Sequence, residues 1–441
     1  MCRVVRPPPR RDQLDANEKT VNGDQQVILG KVAAVFRLPN RRLNRQPRKV
    51  KAQAELRLSR DLRRLRVRAL HIRRLLSRAR VCIFCGQPPA AKNREHIVPR
   101  WLIQLTGDPN RKIILGPFIS HAILGSRAGP FKTLSFDSFS VPSCETCNRK
   151  FSELEGRAKP LISSLLAAEP LTASDFDTIL DWFDKVRVGL WLAFHYFLDR
   201  NYWGVVPHFF VSDRIAAADR FLLIYRARTY DPGIRFAGVN TPSFAHTPSC
   251  FTLVINEWFL VNMSYQMLLS QAAGLPFQAA YLFGPDERLH AELQPGQERL
   301  SHPLLPFPQP LDAVSIGQPI LPNIQAIPEL ADLYQSDYVS SMTLREARGV
   351  VLLDKGGRVT AYPNAPTAAW CSPPLGDFRD LLLRNAKETL ELQNQLTGMI
   401  TLSPSLAPKQ KRYMERQNAN CIHANEMLLE LVAKRHAKGQ L

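Results

Sequence analysis

The chain has 441 residues, a formal net charge of +19 and a hydrophobic content of 45%. Its length suffices for two or three domains, and this hydrophobic content excludes a wholly disordered chain. No apolar run approaches the roughly 18 residues of a membrane span, and no apolar core follows the basic N-terminus as in a signal peptide. The sequence therefore predicts a cytoplasmic protein without a membrane partner, and the charge predicts a polyanionic partner or a basic tail.

Most of the net positive charge lies in residues 1–80, which are rich in Arg and Pro. From about residue 50 to residue 80, leucines recur between the arginines at spacings compatible with a basic helix. We predict a largely disordered or partly helical extension. It is either an arm that lies along nucleic-acid phosphates or a solvated segment.

Two Cys-x-x-Cys pairs, Cys82 with Cys85 and Cys144 with Cys147, enclose the most informative stretch. The other four of the eight cysteines are scattered, unlike a secreted disulfide framework. Each Cys-x-x-Cys turn presents two thiolates to one ion, so two turns predict a closed four-cysteine zinc site. A closed site has no open coordination position and is structural. The alternative, a redox motif, needs only one pair.

The dipeptide Glu95-His96 lies between the two pairs and is followed by Ile-Val and then Pro99. Adjacent residues of a strand point to opposite faces, but they can converge where the strand ends, as Pro99 predicts. Asn148 follows the last cysteine, where a helix is predicted to begin. The zinc site would therefore hold the start of this helix against the Glu95-His96 strand.

These side chains fit the hydrolysis of a phosphodiester. The imidazole of His96 can deprotonate water near neutral pH. Glu95 and Asn148 offer two oxygen ligands to a divalent cation and leave room for water and phosphate, which suits Mg²⁺, or Mn²⁺. Glu155 lies two helical turns after Asn148. It is either a further ligand of the ion, or a surface carboxylate or partner of Arg100.

Arg100 and Lys150 are candidates for binding nucleic-acid phosphates, with solvated surface cations as the equal alternative. The Gly- and Pro-rich insert 106–136 is either a substrate-contacting loop or a long connection. A small core is predicted from apolar residues beside the motifs: Trp101, Leu102, Phe151 and Leu154.

The order of these motifs resembles the HNH endonuclease family in its zinc-stapled form. The matching residues are Cys82, Cys85, Glu95, His96, Ile97, Val98, Pro99, Cys144, Cys147 and Asn148. The resemblance implies a ββα-metal fold over residues 81–160, in which a hairpin and a helix surround one divalent ion. It implies Glu95 and Asn148 as ligands of that ion and His96 as the general base. The family's middle asparagine has no evident counterpart, and Asp137, Ser138 or a main-chain carbonyl could orient His96 instead.

The resemblance implies an endonuclease that hydrolyses double-stranded DNA with a structural Zn²⁺ and a catalytic Mg²⁺ or Mn²⁺. The alternative is a catalytically inactive, zinc-stapled module that binds DNA. A third reading is an unrelated zinc-ribbon scaffold for protein partners.

Residues 161–441 are predicted to form a mixed α/β region rich in helix, so the fold class of the whole chain is α+β. A helix is predicted from a capping box at Ser174–Asp177 to about residue 198. Further along, the sequence predicts two strands within 251–261 around a turn at Asn256-Glu257, a Pro-rich linker or long loops over 275–325, and helices over 378–396 and 409–438.

Overall fold

A computed structural model describes thirteen stretches of the chain. They are residues 82–85, 93–107, 111–115, 132–198, 219–265, 268–269, 277–283, 289–294, 304–305, 313–320, 348–400, 402 and 408–436. The basic extension predicted over residues 1–80 lies outside them, as does much of the predicted insert. The described part is a mixture of helices with an antiparallel sheet, as the sequence predicts at this coarse level.

The region around the cysteines contains four short strands and two helices. They are β1 (Arg94–His96), α1 (Arg100–Thr106), β2 (Lys112–Leu115), β3 (Lys132–Ser135), β4 (Ser140–Pro142) and α2 (Glu145–Leu166). Strand β1 pairs antiparallel with β4, and β2 pairs antiparallel with β3. Strand β1 ends before Pro99, which caps the start of α1. Helix α2 continues through residue 160, which the sequence predicts as the boundary between the module 81–160 and the region 161–441.

The long helix α3 (Ala173–Leu198) confirms the predicted helix, but its cap lies two residues earlier than predicted. The carboxylate of Asp175 accepts a hydrogen bond from the Thr172 backbone N–H at 2.8 Å, and the Asp175 N–H donates to the Thr172 hydroxyl at 3.2 Å. This reciprocal pair is the capping box. The predicted pair, Ser174 and Asp177, has the same spacing but lies inside the helix.

The rest of the described chain forms a sheet of seven antiparallel strands, a separate hairpin and three helices. Their bounds are β5 (Asp219–Arg226), β6 (Ile234–Ala237), α4 (Pro242–His246), β7 (Cys250–Ile255), β8 (Trp258–Tyr265), β9 (Phe277–Phe283), β10 (Leu289–Gln294), β11 (Val314–Gln318), β12 (Leu352–Lys355), β13 (Arg358–Ala361), α5 (Phe378–Gly398) and α6 (Pro408–His436). The strand order is β13-β12-β11-β5-β8-β7-β6, and β9 pairs with β10.

The predicted hairpin and the two C-terminal helices are confirmed as β7–β8, α5 and α6. Asn256 takes the left-handed φ of 55° that the tight turn requires. The prediction of a linker or loops over 275–325 is wrong where strands β9, β10 and β11 lie. Strand β11 has only five residues, but it lies inside the sheet and pairs antiparallel with both β5 and β12.

Side chains alternate between two cores on the faces of the sheet. Leu222 and Ile224 join a core that contains α3 and the cysteine region, whereas Phe221 and Leu223 join the core beneath α5. The first core is continuous from the sheet to the cysteines. Helix α3 is therefore the layer that connects the cysteine region to the sheet.

Charged residues of α3 also face strand β5. The guanidinium group of Arg220 is fully buried and contacts Asp177 at 2.8 Å, Asp181 at 2.5 Å and Asp184 at 3.3 Å. A buried cation persists only with such partners, so this cluster fixes the helix on the sheet. Among the described helices, none is long and apolar enough to cross a membrane.

Candidate functional site

The four cysteines predicted to bind zinc lie together. Their Sγ atoms are all within 4.8 Å of one another, and those of Cys85 and Cys144 are 3.5 Å apart. Thiolates around a tetrahedral zinc at about 2.3 Å would be separated by roughly 3.8 Å. The four thiols therefore fit a metal ion such as zinc. No disulfide joins any cysteine of the described residues.

Local structure brings the two cysteine pairs to one place. The turn that carries Cys82 and Cys85 is attached to β4 by a hydrogen bond from the Ile83 N–H to the Pro142 carbonyl at 3.1 Å. Cys144 is the N-cap of α2, and its sulfur accepts a hydrogen bond from the Cys147 N–H at 3.4 Å. The turn bonded to β4 and the start of α2 therefore hold the two pairs beside each other.

Strand β1 places Glu95 and His96 on opposite faces, and the convergence expected at the end of the strand is not observed between these two side chains. Glu95 lies opposite Val141 in the pairing with β4 and is 5% exposed, whereas His96 lies opposite Ser140 and is half-buried. Arg94 strengthens this pairing because its Nε donates to the Ser140 hydroxyl at 2.8 Å. Glu95 therefore faces the interior, and His96 faces the outer side of the strand pair.

The imidazole of His96 is held by a main-chain carbonyl. Its Nε2 lies 3.0 Å from the carbonyl oxygen of Asp137. A carbonyl can only accept, so Nε2 carries the proton and Nδ1 keeps its lone pair. Burial lowers the pKa of His96, as does the charge of Arg100, and both effects favour the neutral ring. The sequence left this orienting group open among three choices, and the carbonyl makes the contact.

Glu95 is bound by a lysine from α3. The ammonium group of Lys185 lies 2.6 Å from Glu95 and 2.5 Å from Glu155, and it donates to the His96 carbonyl oxygen at 2.9 Å. The side chain of Lys185 is fully buried. Burial opposes its charge, but the two carboxylates outweigh that effect and raise the pKa of Lys185. Burial also raises the pKa of Glu95, although the ammonium group acts against this rise.

The remaining predicted site residues lie on helices α1 and α2. Asn148 is half-buried in the first turn of α2, directly after the cysteine pair, and Lys150 is exposed on the same helix. Glu155 pairs with Lys185 and not with Arg100. The exposed Arg100 instead forms an ion pair with Asp137 at 2.9 Å.

Helix α3 contacts this region along one face. The ring of Trp182 lies 5.9 Å from that of Trp101, and the ring of Phe197 stacks on Phe139 at 5.5 Å. Between them, a Cβ atom at Gly189 would lie 3.3 Å from the side chain of Ile97. The predicted small core is confirmed in Leu102, Phe151 and Leu154, with Trp101 partly buried against it.

Sequence reasoning missed Lys185, which lies 89 residues after His96. One signal was present: a lysine next to the apolar stripe of a long helix, near Phe183 and Val186, needs a buried partner. Nothing local identifies Glu95 and Glu155 as those partners.

Comparisons with protein-family models, with curated proteins and with solved structures found no match for this chain.

Proposed function

We propose that the chain is a metal-dependent endonuclease of the HNH type that hydrolyses phosphodiester bonds in DNA. The observation that supports it most is the state of His96. Its Nε2 donates to the Asp137 carbonyl, no described residue bonds its Nδ1, and burial lowers its pKa, which favours the neutral ring. These are the properties of a general base. The ring lies on β1, which pairs with β4, and the cysteine turn bonded to β4 meets the start of the helix that carries Asn148.

In this proposal, Nδ1 of His96 accepts a proton from a water molecule as that water attacks the phosphorus atom. The bond from phosphorus to the leaving sugar oxygen breaks, and that oxygen takes up a proton. The Asp137 carbonyl stabilises the imidazolium form through Nε2–H. A divalent cation, when bound, supplies the positive charge that offsets the developing charge on the phosphate and leaving oxygens.

The side chains that would hold this cation are Glu95 and Asn148, with Glu155 as a further candidate. Oxygen donors of this kind suit Mg²⁺ or Mn²⁺. Since Oε1 of Glu95 binds Lys185, its other oxygen, Oε2, is the one left for the cation. The four cysteines would hold Zn²⁺ and keep the first turn of α2 beside β4. Arg100 and Lys150 would contact flanking phosphates.

A second candidate function is a zinc-stapled module that binds DNA without cutting it. The ion pair of Lys185 favours this alternative. Its ammonium group already compensates Glu95 and Glu155, so these two acids need no divalent cation to stay buried.

Cleavage of supercoiled plasmid by the purified chain separates the two functions. The endonuclease predicts nicked or linear product with Mg²⁺ or Mn²⁺ and none with a chelator that spares the zinc. The binding module predicts a complex with DNA that weakens as salt rises and no product with any divalent ion. Asn148→Ala should raise the Mg²⁺ concentration required for half-maximal cleavage.

A further inference from the structure

Lys185 joins three separate parts of the structure around the proposed site. Its ammonium group contacts a side chain of β1 (Glu95), the main chain of β1 (the His96 carbonyl) and a side chain of α2 (Glu155). It also lies 5.7 Å from the ring centre of Phe151, which closes the remaining side. The ammonium group thus donates hydrogen bonds to the His96 carbonyl and Glu155 and forms an ion pair with Glu95.

Stability alone is a weak reason for this arrangement. Removing an ammonium group from water costs several kcal/mol, and an apolar side chain of similar volume often serves a buried position equally well. A lysine differs from such a side chain in the directions that it imposes. Here it orients the carboxylate of Glu95 and fixes the peptide that carries His96.

We propose that Lys185 is a positioning residue for the Glu95-His96 pair. Its bond to the His96 carbonyl holds the end of β1 against β4, which keeps the imidazole in reach of the Asp137 carbonyl. Its contact with Oε1 of Glu95 fixes the carboxylate that is proposed to bind the cation. This inference rests on the proposed function for its effect on the rate, but its effect on the His96 ring does not depend on cleavage.

The test compares the full chain carrying Lys185→Met with the wild type, and Lys355→Met serves as the matched control. Lys355 likewise donates to the main chain, in its case to the carbonyls of Ala369 and Cys371, but it lies on β12. We expect Lys185→Met to lower kcat by about 100-fold, as a displaced catalytic group does, with KM for DNA within about twofold. The control should leave both parameters unchanged.

A second readout needs neither cleavage nor a divalent cation. The imidazole ¹⁵N shifts, assigned by their loss in His96→Ala, should report an Nε2–H ring in the wild type. In Lys185→Met they should report a mixture of Nε2–H and Nδ1–H rings. If Lys185→Met loses its zinc or its cooperative unfolding, Lys185→Arg takes its place. The planar guanidinium group of Arg would be displaced from the ammonium position, so kcat should fall at least about tenfold.

Wild-type kcat and wild-type ring shifts in the folded variant would overturn the proposal. So would faster cleavage at lower Mg²⁺, since Lys185 would then be a competitor for the cation. A wild type that never cleaves would remove the proposed function, and the ring shifts would still decide whether Lys185 positions His96.

Discussion

The Nε2 atom of His96 lies 3.0 Å from the main-chain carbonyl oxygen of Asp137, which is in the turn between β3 and β4. This contact fixes the ring orientation without an asparagine side chain. A carbonyl oxygen cannot be removed by substitution at Asp137. The side chain of Asp137 can therefore pair with Arg100 at 2.9 Å while the main chain holds the base.

The first prediction concerns the pH dependence of cleavage. A general base must be neutral, so activity is present above the pKa of His96 and is lost as the pH falls through it. Burial lowers this pKa below its usual value of about 6.5. The plot of kcat/KM against pH should therefore still be on its plateau at pH 7 and should bend only below about 6.5. A bend above that value, in protein that remains folded, would contradict the role of His96.

The second prediction concerns the cysteine tetrad. Metal analysis of the purified chain should find one zinc per chain, since the four thiols fit one closed site. Cys147→Ser should lose the zinc and lower the melting temperature by several degrees, because metal binding contributes to folding.

The control for the zinc is Cys421→Ser, at a fully buried cysteine of α6 outside the tetrad. This variant should keep the metal whatever its effect on stability. Full zinc content in Cys147→Ser would refute the site.

The third prediction uses two helical glycines with different surroundings. A Cβ atom at Gly156 on α2 would meet nothing within 4 Å, whereas one at Gly189 on α3 would lie 3.3 Å from the buried Ile97. Gly156→Ala should therefore raise the free energy of unfolding by about 1 kcal/mol through helix propensity alone. Gly189→Ala should give no such gain.

Gly189→Ala should also slow cleavage, because Ile97 directly follows His96 and must shift to admit the methyl group. Chemical denaturation and the plasmid assay check both variants. Equal stabilisation by the two substitutions, with equal activity, would show that the contact between α3 and Ile97 does not matter.

The parts of the site that the sequence predicted are those with a local signal. Cys-x-x-Cys spacing predicts the meeting of four thiols because each turn already holds two of them. Pro99 predicts where β1 ends, although the convergence of Glu95 and His96 expected there is not observed. The hairpin at Asn256 and the long helices likewise follow from turn residues and periodicity.

The parts that it missed depend on contacts between distant residues. The N-cap of α3 is Thr172, which pairs with Asp175. Ser174 and Asp177 have the same spacing and fit the same sequence pattern, so only the observed hydrogen bonds distinguish the two pairs. Strand β11 is five residues long and lies within a Pro-rich stretch. Its strand conformation depends on antiparallel pairing with β5 and β12. The partners of Lys185 come from two other elements of the chain.

The central claim is that His96 is the base of a metal-dependent nuclease. Single-turnover cleavage of plasmid DNA with Mg²⁺ should compare the wild type with His96→Ala and with His423→Ala, which removes an exposed histidine on α6. General-base catalysis contributes about 10²- to 10⁴-fold. We expect His96→Ala to lose that much rate while it keeps its zinc and its melting temperature, and His423→Ala to match the wild type. Cleavage by His96→Ala at the wild-type rate, or no cleavage by the wild type with any divalent ion, would contradict the claim.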